Sequence, residues 1–397
     1  MVVCVVGLGY IGLPTAALLA NQGHRVIGVD VSSSVVDVIN RGEIHIVEPE
    51  LDAYVAKVVK SKGLIASLTP SPADVFILAV PTPFHGNHVP NIDYVVAATR
   101  SIAGVVKKGD LVILESTSPI GTTERVAEVL TEEGVDVSSL FIAHCPERVL
   151  PGHIMRELVE NDRIVGGLTA EAGQKVAEFY RGFVSGDVLV TDARTAEMAK
   201  LTENSFRDVN IAFANELSIL CEKFSIDVWE LIRLANRHPR VNILQPGTGV
   251  GGHCIAVDPW FIVHAGGDDA RIIRAAREIN DYKTVWVIDR ILSQIESFKT
   301  NNGRSPLIAC MGLAFKPNID DLREAPALEV FHSLQNAGVD VLAVEPNLSE
   351  HKSIKLTSYR DAAQNADIVV YLVAHNEFKH LHVNGEILDF CGVTVTV

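Results

Sequence analysis

The glycine run Gly7-Leu8-Gly9-Tyr10-Ile11-Gly12 constrains this chain more than any other feature. It follows Val2–Val6, an apolar run of the kind that forms a strand buried on both faces, and it opens a helix-like segment. Pro14 falls in the first turn of that segment, where no intrahelical N–H bond is lost. In this setting Gly7 permits a tight turn, Gly9 lets the backbone approach a pyrophosphate, and Gly12 lets helix and strand pack closely. The helix N-terminus attracts the phosphate charge. A glycine turn of this kind also occurs without a ligand, and Asp30 separates the two readings. It ends the second predicted strand 18 residues after Gly12, where a carboxylate accepts both ribose hydroxyls and repels a 2′-phosphate. The spacing predicts dinucleotide binding, with NAD preferred over NADP.

One such unit does not exhaust 397 residues, and the length predicts two or three domains. Short apolar runs alternate with helical stretches to about Val190, the pattern of a parallel sheet wound with helices. The predicted strands are Val2–Val6, Arg25–Val29, Val75–Val80, Leu111–Glu115, Leu140–His144 and Arg163–Gly166. From Ala193 to about Phe298, Ala, Leu, Glu and Arg recur at helical spacing. After a polar linker over residues 300–306, strands return at Leu307–Met311, Asp340–Val344, Asp367–Val373 and Val393–Val397, so the chain is expected to stop inside its last strand. The reading is an α/β protein with two Rossmann-like doubly wound domains joined by a helical central region. Its parts are 1–190 for NAD, 191–300 as a helical region whose apolar and amphipathic helices are the expected dimer surface, and 301–397 as a second α/β domain.

Composition narrows the partners. Lys+Arg number 34 against 49 Asp+Glu, a net charge of −15 that disfavours nucleic acid and anionic membrane surfaces. A small anionic ligand is still allowed, because local cations act over roughly 8 Å, one Debye length. The six cysteines are scattered, with no C-x-x-C pair and no zinc-like His spacing, so no metal is expected and reduced thiols in a cytoplasm are. The apolar start lacks a signal's basic residues, and no apolar run reaches the roughly 18 to 20 residues of a spanning helix. A soluble protein is expected.

Two further segments carry chemistry. Residues 195–207 read as helix, with Lys200, Asn204 and Arg207 at i, i+4 and i+7 along one stripe. Such a stripe is either a solvated polar face or two cations and an amide presented to a ligand. Behind Gly247-Thr248-Gly249-Val250-Gly251-Gly252-His253 stands Cys254, a thiol that a ligand can approach closely, although most buried cysteines are inert core residues. Thr82 and the hydroxyls of Ser116-Thr117-Ser118 follow strand ends where ligands of doubly wound folds sit, and simple turn chemistry is the alternative.

The segments VGLGYIGLPTA, VPTPFHG, LVILESTSP, CPERVLPG, TAEMAKLTENSFRDVNIAFANEL, HPRVNILQPGTGVGGHCIAVDPWFIV and GLAFKPNIDDLRE resemble the UDP-glucose/GDP-mannose dehydrogenase family, over essentially the whole chain. The resemblance implies an NAD-dependent enzyme that oxidises the primary alcohol of a UDP-sugar to a carboxylate. Cys254 is then the nucleophile, Lys200 and Asn204 stabilise charge on the reacting oxygen, Asp258 holds Lys200 or a water, and Glu147 assists proton transfer or thioester hydrolysis. Tyr10, Ile11, Asp30, Thr82, Thr117 and Arg323 match positions that hold NAD. Arg148, Val149, Arg207, His238, Arg240, Gly251, Phe315 and Lys316 match positions that hold the UDP-sugar, and 301–397 becomes its binding domain. UDP-glucose enzymes carry a second Glu where Pro151 stands here. That departure favours UDP-N-acetyl-mannosamine, with UDP-glucose and UDP-N-acetyl-glucosamine as alternatives. A non-catalytic UDP-sugar or NAD sensor would have no use for the thiol, and a hydroxyacid dehydrogenase that transfers one hydride would not need it.

Overall fold

A computed structural model of the chain describes residues 1–150 and 152–395. The chain divides into two compact units, Met1–Thr202 and Glu203–Val397.

In the first unit, β1 (Val2–Val6) passes through α1 (Gly12–Asn21) to β2 (Arg25–Val29). Helices α2 (Ser33–Asn40) and α3 (Leu51–Lys60) precede β3 (Leu64–Ser67), and β4 (Val75–Leu78) then returns to the other side of β1. A hairpin of β5 (Phe84–His85) and β6 (Val89–Pro90) stands apart from the sheet. The unit continues with α4 (Asp93–Ala103), β7 (Leu111–Leu114), α5 (Thr122–Glu132), β8 (Phe141–His144) and α6 (Ile154–Glu160). It ends with β9 (Arg163–Gly167), α7 (Ala170–Arg181) and β10 (Val188–Asp192).

The eight strands lie in the order β10-β9-β8-β7-β4-β1-β2-β3. The direction of winding therefore reverses beside β1, and the carboxyl end of that strand is where doubly wound sheets bind ligands. The all-apolar strands explain the layering. Val3 and Val5 join one core with α1 and α7, whereas Cys4 and Val6 face the other with α4 and α5, as a period of two requires. Two strands depart from the predicted parallel sheet: β9 runs antiparallel to β8, with His144 opposite Gly166, and β10, parallel to β9, shares the reversal. An apolar run reads the same in either direction, so hydrophobic pattern does not encode this reversal.

Helix α8 (Ala193–Lys223) crosses the division between the units. The second unit continues with α9 (Val228–Ala235), α10 (Asp258–Gly266) and α11 (Arg271–Asn302). Buried Asp208 of α8 accepts from Arg277 at 2.7 Å and from Asn280 at 2.8 Å, which ties α8 to α11. Then follow β11 (Ile308–Met311), α12 (Pro326–Asn336), β12 (Val341–Val344), α13 (Tyr359–Asn365), β13 (Ile368–Tyr371) and β14 (Glu386–Asp389). They form a parallel sheet ordered β12-β11-β13-β14. Ile308 and Cys310 pack with α11 and α12, and Ala309 and Met311 pack towards α13.

Two predicted boundaries shift. α11 runs through Asn302 and stops at Gly303, whose φ of +70° closes the helix, so the polar linker begins inside the helix. The fourth strand is β14, and Val393–Val395 lie in no strand, while residues 396 and 397 fall outside the described residues. The described residues thus continue past β14, and 393–395 do not form the strand expected there. Among the described residues no helix is long and apolar enough to cross a membrane.

Candidate active site

At the end of β1 the glycine turn is fixed by contact. A Cβ on Gly12 would stand 1.8 Å from the Gly7 carbonyl oxygen, and one on Gly7, whose φ is +93°, would stand 2.5 Å from that of Ala79. No larger residue fits either place. Gly9 is different: nothing lies within 4 Å of where its Cβ would be, so its backbone is open to approach. Tyr10 is exposed, and Ile11 precedes the first residue of α1. Asp30 accepts from the Leu8 N–H at 3.1 Å and from the Ser32 N–H at 2.9 Å, which holds its carboxylate at the rim of the turn. An open backbone, a helix N-terminus and an anchored carboxylate fit the pyrophosphate and ribose of NAD. Among the hydroxyls, turn chemistry is what the structure records. Thr82 donates to the Thr117 carbonyl, Ser116 to that of Val80 at 2.6 Å, and Ser118 to that of Ser116 at 2.9 Å. Thr82 and Thr117 thereby meet where the chain leaves β4 and β7.

The second unit repeats this joint. Gly312, at φ +91°, donates to the Val344 carbonyl at 2.9 Å, as Gly7 donates to that of Val29 at 2.8 Å. Glu345 then accepts from the Leu313 N–H at 2.8 Å, the counterpart of the bond between Leu8 and Asp30. Buried His375 completes the joint. Its Nδ1 accepts from the Asn318 N–H at 3.0 Å, so Nε2 carries the proton and donates to Glu345 at 3.1 Å. Burial pushes the Glu345 carboxyl up, but the bonds from His375 and the Leu313 N–H outweigh it and hold the group below its ordinary range. Phe315 and Lys316 follow on the same turn, the ammonium 5.8 Å from the ring centroid. Sequence reasoning passed over Glu345 and His375, although Val-Glu after an apolar run parallels Val29-Asp30.

A buried cluster surrounds Glu147 in the first unit. Glu147 accepts from Arg163 at 3.0 Å and from the Arg148 N–H at 2.6 Å. The same guanidinium lies 3.9 Å from Glu115, which also accepts from Thr15 at 3.3 Å and Tyr180 at 3.4 Å. Burial, aided by the charge of Glu147 and opposed by Arg163, pushes Glu115 up to about 7. Glu115 and Arg163 were not foreseen, since each reads as an ordinary strand-end charge until the fold stacks β7, β8 and β9. The Arg148 guanidinium donates to the Asp162 carbonyl at 3.0 Å, and Val149 packs against the core. Nearby, burial holds the fully enclosed His144 imidazole down to about 3, with the Lys200 ammonium adding to the effect.

Lys200, Asn204 and Arg207 do share one stripe of α8, which passes from half-buried to buried to exposed. In the second unit Asn204 donates to Asp258 at 2.6 Å. Asp258 is the first residue of α10, with Pro259 next, a position that suits an acid. Its own N–H returns to the Cys254 carbonyl at 2.8 Å, so the loop bearing the thiol is tied to the acid that holds Asn204. Sequence reasoning expected Asp258 to hold Lys200 or a water, and Asn204 is one of the partners it has. Cys254 is exposed, whereas Cys4, Cys145, Cys221 and Cys310 are buried. Gly251 is demanded by packing, because a Cβ there would stand 2.2 Å from the Glu324 carbonyl oxygen and 3.0 Å from Phe315. His238 and Arg240 are exposed on the loop after α9, where His238 Nδ1 accepts from the Arg240 N–H at 3.3 Å. Arg323 lies in the second unit, apart in sequence from the other residues expected to hold NAD, and pairs with Asp321 at 2.6 Å.

A dinucleotide joint, a second joint of the same kind and an exposed thiol behind a glycine loop define an NAD-binding oxidoreductase that also takes a second nucleotide ligand. The chain matches the UDP-glucose/GDP-mannose dehydrogenase family in all three of its parts: the NAD binding domain over 1–184, the central domain over 194–282 and the UDP binding domain over 309–389. It is 55% identical to the UDP-N-acetyl-D-mannosamine dehydrogenase of Campylobacter jejuni, covering 98% of each chain. It is 54% identical to the NDP-N-acetyl-D-galactosaminuronic acid dehydrogenase of Ralstonia nicotianae, covering 96% of this chain and 92% of that one. Among solved structures, the UDP-D-ManNAc dehydrogenase of Pyrococcus horikoshii superposes with a TM-score of 0.91 at 38% identity, over 100% of this chain and 97% of that one. The chain belongs to the UDP-glucose/GDP-mannose dehydrogenase family and is an NAD-dependent nucleotide-sugar dehydrogenase.

Proposed function

We propose that the substrate is UDP-N-acetyl-D-mannosamine, oxidised at its primary alcohol to the uronate in two hydride transfers. The observation that carries the chemistry is the exposure of Cys254 on a glycine loop, in a chain whose cysteines 4, 145, 221 and 310 are buried. NAD, when bound on Gly7–Gly12, Asp30, Thr82 and Thr117, accepts the hydride. Removing two hydrides from one carbon requires that the intermediate aldehyde be kept and made a donor again. The Cys254 sulfur adds to the aldehyde carbon, giving a thiohemiacetal whose oxidation leaves a thioester. Water cleaves that thioester to the carboxylate and returns the thiol. Asn204 gives one amide N–H to Asp258, which leaves the other to steady the reacting oxygen together with Lys200. Loss of one such donor costs about 2.7–4 kcal/mol in barrier height. Glu147, held by Arg163, takes the role of proton acceptor or hydrolytic base.

The nucleotide sugar is assigned to Arg148, Val149, Lys200, Arg207, His238, Arg240, Gly251, Phe315, Lys316 and to the part of Asn204 not used in holding Asp258. The working division is 1–190 for NAD, 191–300 for catalysis and dimerisation, and 301–397 for the UDP end, supported by the three family matches. An exposed apolar stripe of α8 supports a homodimer: Phe206, Phe213 and Leu220 recur every seventh residue and are 67%, 52% and 41% exposed. Reduced, buried thiols support a cytoplasmic site of action. The second reading, an N-acetyl-galactosamine nucleotide, is favoured by the Ralstonia relative at nearly equal identity.

The test is a single-turnover trace with product analysis. Wild type should yield two NADH and one uronate per sugar, and Cys254→Ser, a weak nucleophile at neutral pH, should allow at most one hydride transfer. If the serine variant makes uronate at a near-normal rate, the covalent route is wrong.

A further inference from the structure

Away from the residues assigned above, the second unit holds a cavity of about 300 Å³ between α8, α9, α11 and β14. Its walls are largely apolar, with Trp229, Trp286 and Phe390 the largest faces. The carboxylates on its rim are already engaged. Asp227 caps α9, accepting from the Trp229 N–H at 2.8 Å, and Asp389 accepts from the Gly392 N–H at 2.8 Å and the Thr394 N–H at 2.7 Å. Glu222 pairs with Arg290. Lys283 is the exception. Its side chain is 98% buried, and its ammonium bonds to Ser218 Oγ at 2.6 Å and lies 3.9 Å from the Trp286 ring centroid. No described carboxylate forms an ion pair with it. A buried ammonium with three N–H donors, one oxygen partner and an aromatic face is poorly compensated.

The geometry points to a binding site for a small organic anion, a carboxylate head taken by Lys283 with an aromatic body between Trp229, Trp286 and Phe390. The volume lies at the lower end of small-molecule sites, roughly 300–1,000 Å³, which limits the body to one or two fused rings. Lys283 supplies the charge, Ser218 and the Trp286 face orient the ammonium, and the apolar walls supply most of the contact area. Burial pushes the Lys283 amine down to about 7, against the opposing charge of Glu222, and a bound carboxylate would favour its charged form.

Indole-3-carboxylate is the probe. Calorimetric titration of the full chain should give one saturable site with a dissociation constant of about 1 mM or tighter. Neutral indole and ring-free acetate should each bind at least tenfold more weakly. Lys283→Met keeps the bulk of the side chain without its charge, and should weaken indole-3-carboxylate at least tenfold while NAD binding stays unchanged. A second measurement uses the unaltered protein: indole-3-carboxylate should raise its thermal unfolding temperature, and acetate at the same concentration should not. Absence of saturable binding, equal affinity for indole and its carboxylate, or an unfolding temperature that the probe leaves unchanged would each overturn the proposal.

Discussion

At the scale of single residues, the nucleotide joint leaves almost no freedom. Gly12→Ala must move the Gly7 carbonyl, since the new methyl would sit 1.8 Å from its oxygen. The expected result is a loss of at least about 3 kcal/mol of stability, together with loss of NAD affinity, measured by denaturant titration and by fluorescence titration with NADH. Glu115 makes a prediction about pH. Its carboxyl is raised to about 7 in the folded chain by burial and by Glu147, against an ordinary value of about 4.3. A raised acid contributes stability that is fully present below the unfolded value and disappears as pH climbs to the folded one. Between pH about 4.3 and about 7 the wild type should therefore lose up to about 4 kcal/mol relative to Glu115→Gln, which keeps the shape and does not titrate. Parallel stability curves for the two proteins across that window would remove Glu115 from this account.

At the scale of elements, α8 carries opposite tasks on its faces. One side holds Asn204 and the buried Asp208 that binds Arg277, while the other presents Phe206, Phe213 and Leu220 to solvent. Phe213→Asp should yield monomers on light scattering, because each interface would bury an unpaired carboxylate. A dimer that survives this change uses another surface. The element scale also shows how far sequence reaches. The wholly apolar strands β1, β4 and β7 and the long helices α8 and α11 were legible, since burial on both faces and helical periodicity each leave a strong mark. The edge strands β3, β10 and β14 were not, because each has an exposed side: Ile65, Leu189 and Ile387 face water. Gly7 and Asp30 could be singled out from spacing, and Cys254 from the glycines before it, with its role supplied by the family resemblance. The cluster of Glu115, Glu147, Arg163 and Tyr180 could not, for it is assembled from four separate elements.

At the scale of the whole molecule, the proposed substrate is tested by which sugar the enzyme prefers. Relatives named for N-acetylmannosamine and N-acetylgalactosaminuronic acid lie at 55% and 54% identity. A panel of UDP-sugars assayed by NADH formation should give UDP-N-acetyl-mannosamine a kcat/KM at least tenfold above UDP-glucose, a difference of about 1.4 kcal/mol in transition-state binding. A higher value for the galactosamine nucleotide would move the assignment to the second reading.

The duplicated joint at Gly7 and Gly312 also bears on how such a chain changes over generations. Each copy is a strand, a left-handed glycine and a carboxylate that grips the next amide, and each lies within its own unit. Two self-contained sockets of common design can drift separately: mutations that retune one nucleotide partner need not be screened against the other. A lineage built this way can exchange the sugar nucleotide it accepts while its redox partner stays the same.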